Sequence, residues 1–358
     1  SASMLGEPGQ QSRIAFAHYW VHYPSDDYSW PHYAGWSIPE HWALAQTNPA
    51  LSQQLHMPLV GNSVSDYDPP DPEPAPVVTD IFILSNQALG KAFSWGVTLE
   101  DADGDGDPDA FDANIMGDGV HLWLNDGQGL FKASEESQYL GGWNSRAALV
   151  GDLDGDGDLD LFGVGGWGDP GLVWENREGQ YVDTGQRLGD GDSTSGALGD
   201  LDGDGDLDVY VGNWGEPDEV WFNDGSGTFG GGATVGASRT EHLALADVDG
   251  DGDLDAICGH EYESNLVRIN DGQGGFTETR YLGEGSSRGV AAGDLDGDGD
   301  LDVFLGNGYR SDESDGGQAH EVWLPEGSGN FSDSGQSLGY SDSGRVALGD
   351  LDGDDDLD

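Results

Sequence analysis

Beyond about residue 80 the chain alternates short apolar runs with punctuation rich in Gly, Asp and Asn. One kind of run precedes an acidic stretch: AALVG at 147–151, LALA at 243–246, VAAG at 290–293 and VALG at 346–349. A second kind follows it: LFGVG at 161–165, VYVGN at 209–213 and VFLGN at 303–307. A third carries Trp or a long apolar residue and ends in a turn: HLWLNDGQG at 121–129, EVWFNDGSG at 219–227, LVRINDGQG at 266–274 and EVWLPEGSG at 321–329. A fourth starts at an aromatic: LFKAS at 130–134, QYVDTG at 180–185, GFTET at 275–279 and NFSDSG at 330–335. The runs are short, β-branched or aromatic, and bounded by Asn-Asp-Gly or Gly-x-Gly. They predict strands joined by hairpin turns. No stretch of 80–358 carries a convincing helical period.

The acidic stretch is itself repeated. It reads DADGDGDPD at 101–109, DLDGDGDLD at 152–160, 200–208 and 294–302, DVDGDGDLD at 247–255, and DLDGDDDLD at 350–358. Successive copies are offset by 51, 48, 47, 47 and 56 residues. The repeating unit is therefore a supersecondary structure of roughly 50 residues, which excludes a roll of contiguous nonapeptides. Four short strands per unit predict an all-β protein: a β-propeller of about six to seven four-stranded blades. A four-stranded sheet cannot bury both faces alone, but stacked blades bury each other.

Asp falls at positions 1, 3, 5, 7 and 9 of every copy. Two unit charges about 4 Å apart repel by ~1 kcal/mol in water and ~4 kcal/mol at a partly buried site. Such a cluster calls for a cation. Hard oxygen donors at alternating positions around glycine bends are calcium chemistry. An EF-hand would need a Glu at position 12 and flanking helices, whereas this chain has Asp112, Gly163, Val211, Cys258 or Leu305 there, between strands. The candidate metal residues are Asp101, Asp103, Asp105, Asp107 and Asp109 in the first copy, and Asp152, Asp154, Asp156, Asp158 and Asp160 in the second. They continue with Asp200, Asp202, Asp204, Asp206 and Asp208, then Asp247, Asp249, Asp251, Asp253 and Asp255. The last two copies supply Asp294, Asp296, Asp298, Asp300 and Asp302, and Asp350, Asp352, Asp354, Asp356 and Asp358. One ion per loop predicts five to six Ca2+.

This pattern of motif and flanking strands, over about residues 80–358, resembles the FG-GAP or VCBS repeat of integrin α-subunit-like propellers. The resemblance implies side-chain ligands at positions 1, 3, 5 and 9 and a backbone carbonyl at position 7. In the second copy these are Asp152, Asp154, Asp156 and Asp160 with the carbonyl of Asp158. The sixth copy departs from the pattern at Asp355, where the others have Gly. The family spans adhesion, scaffolding and polysaccharide-degrading enzymes, so the resemblance does not select among functions.

Charge narrows the partners. Lys and Arg total 12 against 69 Asp and Glu, a formal net charge of −57, which excludes a nucleic-acid or anionic-membrane surface. The 12 Trp, 12 Tyr and 11 Phe argue against an acidic disordered chain. Cys258 is alone, so no internal disulfide forms. No run is long and apolar enough for a membrane span. The chain opens SASMLGEP, without a basic or apolar leader, and reads as a mature, processed start.

No HExxH, GxSxG, CxxC or P-loop pattern is present, and the sequence supports no catalytic residue. His18, His22, His32, His41 and His56 precede residue 60, while His121, His242, His260 and His320 are scattered singly through the repeats. His242, His260 and His320 are candidates for a central channel, set against an ordinary hydrogen-bonded role. Asn330-Phe331-Ser332 is an N-glycosylation acceptor in a host that modifies secreted proteins.

Residues 1–79 form a separate region. Phe16, Tyr19, Trp20, Tyr23, Tyr28, Trp30, Tyr33, Trp36 and Trp42 crowd positions 14–42, one short helix is expected within 39–56, and PPDPEPAP at 69–76 is a semi-rigid linker. The region reads either as a cap on the propeller or as an arm that docks on another molecule or a sugar. IFILSNQALG at 81–90 aligns with a fourth strand, and the sixth unit stops after its acidic loop. An open ring exposes sheet edges. Continuation of the chain, closure by residues 1–79, or a neighbour's arm linking copies into a homo-oligomeric fibre would each cover them. The function expected is an extracellular or cell-surface structural or adhesive module that contacts protein or carbohydrate. The alternative is a secreted polysaccharide-acting lyase or hydrolase, or a lectin, on the same scaffold.

Overall fold

The computed structural model describes residues 87–358 apart from 88, 91, 133–138, 142–143, 237–238, 284, 309–317, 342, 351–355 and 358. Residues 1–79, with the expected helix and linker, lie outside the described residues. So does most of the sixth acidic stretch, of which Asp350 and Asp356 are described.

Five antiparallel sheets follow one another along the chain. Blade 1 holds β1 (Phe93–Glu100), β2 (Asp109–Ile115), β3 (Gly119–Asn125) and β4 (Phe131–Lys132), with β5 (Tyr139–Leu140) also beside β3. Blade 2 holds β6 (Ser145–Gly151), β7 (Asp160–Gly165), β8 (Gly171–Arg177) and β9 (Gln180–Leu188). Blade 3 holds β10 (Ser193–Gly199), β11 (Asp208–Asn213), β12 (Asp218–Asn223) and β13 (Phe229–Val235). Blade 4 holds β14 (Thr240–Ala246), β15 (Asp255–His260), β16 (Asn265–Ile269) and β17 (Glu278–Leu282). Blade 5 holds β18 (Ser287–Gly293), β19 (Asp302–Asn307), β20 (Gln318–Gly327) and β21 (Asn330–Asp333), with β22 (Leu338–Ser341) also beside β20. Strand order within each blade follows the sequence, as the four kinds of apolar run predict. The described residues contain no helix.

The unbroken apolar character of the second strands has a simple cause. Successive side chains point to opposite faces, and both faces are covered. In blade 2, Leu161 packs toward Phe111 and Val120 of blade 1, while Phe162 packs toward Val209 and Phe229 of blade 3. In blade 3, Val209 faces back and Tyr210 faces forward to blade 4. Every residue of β7, β11 and β15 is buried. Each hydrophobic cluster is shared by two consecutive blades, so stability is built from neighbour interfaces. The aromatic that opens the fourth run seals three of the four edge-on: Phe111 with Tyr181 at 5.7 Å, Phe162 with Phe229 at 5.8 Å, and Tyr210 with Phe276 at 5.1 Å between ring centroids.

The first strands β1, β6, β10, β14 and β18 lie against one another in that order and form the inner ring. Glycine at the C-terminal ends of β6, β10 and β18 permits this approach. A Cβ on Gly199 would stand 2.6 Å from Leu254 Cδ1, and one on Gly151 would stand 2.8 Å from Leu207 Cδ1. Gly293 meets Leu348 and Leu357 of the sixth unit in the same way.

In blade 1, residues 133–134 of LFKAS lie outside the described residues, and β4 is described at Phe131–Lys132 with β5 pairing farther along β3. One fourth strand departs from expectation. In blade 4 the strand starts at Glu278 rather than at 275, because Asp271 Oδ1 accepts the N–H groups of Gln273 and Gly275 and extends the turn.

Candidate metal centre

Each described aspartate stretch closes the hairpin from a blade's first strand to its second. Position 9 is the first residue of β2, β7, β11, β15 and β19. The glycines at positions 4 and 6 all have positive φ, for instance 77° at Gly155 and 97° at Gly157. Nothing lies within 4 Å of where a Cβ on Gly157, Gly205, Gly252 or Gly299 would sit. Backbone conformation, not crowding, selects glycine there.

The fold gathers three carboxylates per loop to within 4.8 Å of one another. They are Asp101, Asp103 and Asp109; Asp152, Asp154 and Asp160; Asp200, Asp202 and Asp208; Asp294, Asp296 and Asp302; and, in blade 4, Asp247, Asp249 and Asp251. Positions 1, 3 and 9 thus meet in four loops and positions 1, 3 and 5 in one. Position 5 is turned into the loop: Asp156 Oδ1 accepts the Asp158 N–H at 2.9 Å. The position 7 carboxylates of Asp107, Asp206 and Asp253 lie against the third-to-fourth-strand turn, where a Cβ on Gly127, Gly225 or Gly272 would fall 2.2, 2.5 or 2.3 Å from them.

The position 9 carboxylate anchors the loop. Asp208 Oδ2 accepts the Leu201 N–H at 3.0 Å and its Oδ1 accepts the Asn223 N–H at 2.8 Å. Asp109, Asp160 and Asp255 repeat both bonds. Burial pushes each of these four carboxyls up to about 6, against the lowering effect of the two backbone donors. Asp103, Asp154, Asp202 and Asp249 at position 3 are also raised, by burial first and then by neighbouring aspartates. The loops therefore hold ionised carboxylates at a cost that a divalent cation would offset. One buried oxygen, Asp202 Oδ1 at position 3, has no hydrogen-bond partner, as suits an atom reserved for an ion. An all-oxygen donor set of this kind fits a hard cation.

One residue class went unread in the sequence. The Asn at the end of the third strand bridges two blades in blades 2, 3 and 4. Asn223 Nδ2 donates to Leu153 O of the preceding loop at 2.7 Å and to Leu207 O of its own loop at 3.3 Å. Asn176 reaches Ala102 O and Asn270 reaches Leu201 O. The available signal was the Asn of NDG, which reads as turn chemistry alone. In blade 5 that place belongs to Pro325, which has neither donor, and this leaves Asp302 Oδ1 bare. Pro325→Asn is expected to restore both bonds and raise stability by ~1 kcal/mol, measured as a melting temperature a few degrees higher.

Glutamine supplies a second clip. Gln186 Nε2 donates to Gly227 O at 2.7 Å, and its Oε1 accepts the Phe229 N–H at 2.8 Å. Gln87 binds Gly129 O and the Phe131 N–H in the same manner. Gln87 thus stands where a preceding blade's fourth strand would.

The pattern of FG-GAP-like repeats matches residues 101–163, 152–211, 200–258 and 247–305, and that of the FG-GAP repeat matches 287–324. The chain belongs to the FG-GAP repeat family. Each of the longer matches runs from one acidic loop through the second strand of the next blade, so the FG-GAP sequence unit straddles a blade boundary. Among solved structures the chain is similar to an Agrocybe aegerita lectin described as recognising non-reducing terminal N-acetylglucosamine, at 22% identity over 69% of this chain and 67% of that one, with a TM-score of 0.48. It is similar to Kuenenia stuttgartiensis hydrazine synthase at 16% identity over 75% and 73%, with a TM-score of 0.50. It is also similar to BBS1N in complex with ARL6DN, at 13% identity over 68% and 65%, with a TM-score of 0.45. Identities this low bear on fold alone. No curated protein matches the chain.

The histidines of the FG-GAP repeats have structural partners. The buried His260 Nδ1 lies 2.7 Å from Ser264 O. His242 Nδ1 accepts the Val290 N–H at 3.4 Å, and burial pushes this imidazole down to about 3. His320 Nε2 lies 3.2 Å from Ser343 Oγ, but its Nδ1 accepts the Asn307 N–H at 3.1 Å. The proton therefore sits on Nε2 and points at the serine, the wrong tautomer for a base that would activate it. Asn330 of the glycosylation sequon is exposed at the start of β21.

Proposed function

We propose that this FG-GAP protein is an extracellular, calcium-stapled propeller that acts as a structural or adhesive interaction module. The observation that carries this reading is the place of the acidic loops. Each closes a first hairpin, and in blades 1–3 the Asn bridge from the next blade's third strand clips the loop as well. An ion held there braces neighbouring blades and is not presented to a substrate. Five three-carboxylate clusters suit a medium in which calcium is plentiful, as it is outside cells. Side-chain ligands from positions 1, 3 and 9, joined by position 5 or a position 7 carbonyl when the ion draws the loop in, would complete each shell.

Screening the full chain on glycan and extracellular-protein arrays, with calcium and with chelator, tests the reading. Calcium-dependent retention on either array is expected. Absence of retention on both, together with cleavage of a polysaccharide by the full chain, would replace the module with the enzyme.

A further inference from the structure

The end of the inner ring away from the aspartate loops carries different chemistry. Near its start every first strand has a bulge against the second: Ser94/Gly96, Ser145/Ala147, Ser193/Ser195, Thr240/His242 and Ser287/Gly289. The extra residues are Trp95, Arg146, Thr194, Glu241 and Arg288. A bulge bends the strand and re-aims the side chain it carries. Because the first strands adjoin one another, these residues meet around the axis. Glu241 lies within electrostatic reach of Glu261, Arg288, Arg146 and Arg345, so three of the chain's 12 basic residues gather with two glutamates in a molecule with a net charge of −57.

Arg345 is exposed, and its backbone lies against blade 5 beside Arg288, where a Cβ on Gly289 would stand 2.9 Å from its carbonyl carbon. Among the described residues it has no ion-pair or hydrogen-bond partner. Arg146 is fixed beside it. Its guanidinium stacks 4.0 Å from the centre of the Trp95 ring and 5.1 Å from that of Trp167, and its side chain is only 7% exposed. The nearest carboxylate, of Asp192, is 3.8 Å away, and Arg146 Nε has no hydrogen-bond partner. A Cβ on Gly166 would stand 2.7 Å from this arginine, so the glycine makes its berth.

The rim is aromatic. Trp167, Trp214 and Tyr262 follow the second strands of blades 2, 3 and 4 and are 48%, 39% and 42% exposed. Trp167 and Tyr262 have φ of 57° and 63°, left-handed values that bulky residues adopt only when held. The Trp167 N–H donates to Asp192 Oδ1 at 2.8 Å, and Trp214 Nε1 donates to Glu261 Oε2 at 3.2 Å. Exposed aromatics, two of them held in left-handed backbone, around arginines that are only partly matched by carboxylates are built to meet something flat.

We propose that this axial mouth binds the terminal carboxylate-bearing sugar of a saccharide, with Arg345 and Arg288 taking the carboxylate and Trp167, Trp214 and Tyr262 stacking on the ring. The guanidinium fork matches a carboxylate in two hydrogen bonds. Glu261, which accepts from Arg288 at 2.9 Å, can also accept a sugar hydroxyl. The strongly acidic remainder of the chain repels a long polyanion but is screened beyond about 8 Å at physiological salt. One acidic unit at a chain end therefore fits better than a run of them. This inference rests on the interaction-module reading and names its ligand.

Isothermal titration of the full chain in calcium, with trigalacturonic acid and its fully methyl-esterified form, provides the test. The acid is expected to bind at least ten-fold tighter than the ester. Arg345→Gln and Trp167→Gly, both at exposed positions, should each weaken the acid at least ten-fold without lowering the melting temperature. Arg146→Lys, which keeps the charge but not the planar stack, should weaken it several-fold. Equal binding of acid and ester, full affinity in Arg345→Gln and Trp167→Gly, or tighter binding of a hexaglutamate peptide would overturn the proposal. A protein that binds neutral glycans keeps the module reading and loses this inference, whereas one that binds nothing on the arrays loses both.

Discussion

Removing calcium from the full chain is expected to lower its melting temperature by on the order of 20 °C, or to unfold it outright at room temperature. Each site filled a hundred-fold above its Kd adds about 2.7 kcal/mol. Five such sites add over ~10 kcal/mol, which rivals the whole stability of a typical domain. Each kcal/mol moves the melt of a chain this size by roughly 2–4 °C. The pH response separates ion loss from general destabilisation. In the ion-free protein, burial holds Asp109, Asp160, Asp208 and Asp255 at about 6, above the ordinary 3.8. The folded state then binds protons more readily than the unfolded one, so stability falls as pH rises from about 4 to 6 and stays low above that. Acidifying the chelated protein from pH 7 to pH 5 should therefore raise its melting temperature by several degrees. In excess calcium the same change should leave the melt unchanged or lower it, because protons compete with the ion. A melt unmoved by chelator at pH 7 would remove calcium from the account of this fold.

Asp208→Asn is expected to cost ~2–4 kcal/mol and to reduce the bound calcium by one ion per chain. The carboxylate is fully buried, and each oxygen accepts one backbone N–H. An amide accepts at one atom only, so the other backbone N–H would face an NH2 group, and a buried unsatisfied donor costs about 1–3 kcal/mol. The lost charge also removes a ligand at the third loop. Asn223→Ala separates these effects. It keeps the backbone donor to Asp208 but deletes the bridge to Leu153 O in the preceding loop. Calcium titration followed by equilibrium dialysis should show full stoichiometry in Asn223→Ala, with weakened affinity at the second loop as well as the third. Weakening confined to one loop would show that the blades bind independently.

Much of this architecture was legible along the chain because it depends on local periodicity. Continuous apolar runs such as Leu161–Gly165 and Val209–Asn213 mark strands covered on both faces, and NDG marks the turns. The family followed from the same text, since six acidic motifs at near-constant offsets leave few alternatives. The glycines at positions 4 and 6 were equally predictable, because their need is a backbone angle that each loop imposes on itself.

What the chain alone left open are features whose partners lie one blade or half a ring away. Asn223 and Asn176 look like turn residues until blade stacking brings the carbonyls of Leu153 and Ala102 to their amides, 70 and 74 residues back. Pro325 looks like ordinary punctuation until Asp302 is found buried without its donor. Arg146, Glu241, Arg288 and Arg345 share no motif and are scattered over four repeats, so only closure around an axis brings them together. Local spacing sets which strands and loops form, because those are fixed by backbone conformation and side-chain alternation. Inter-blade bridges and the axial mouth arise from how whole sheets pack, and that is decided only when distant residues compete for the same buried space.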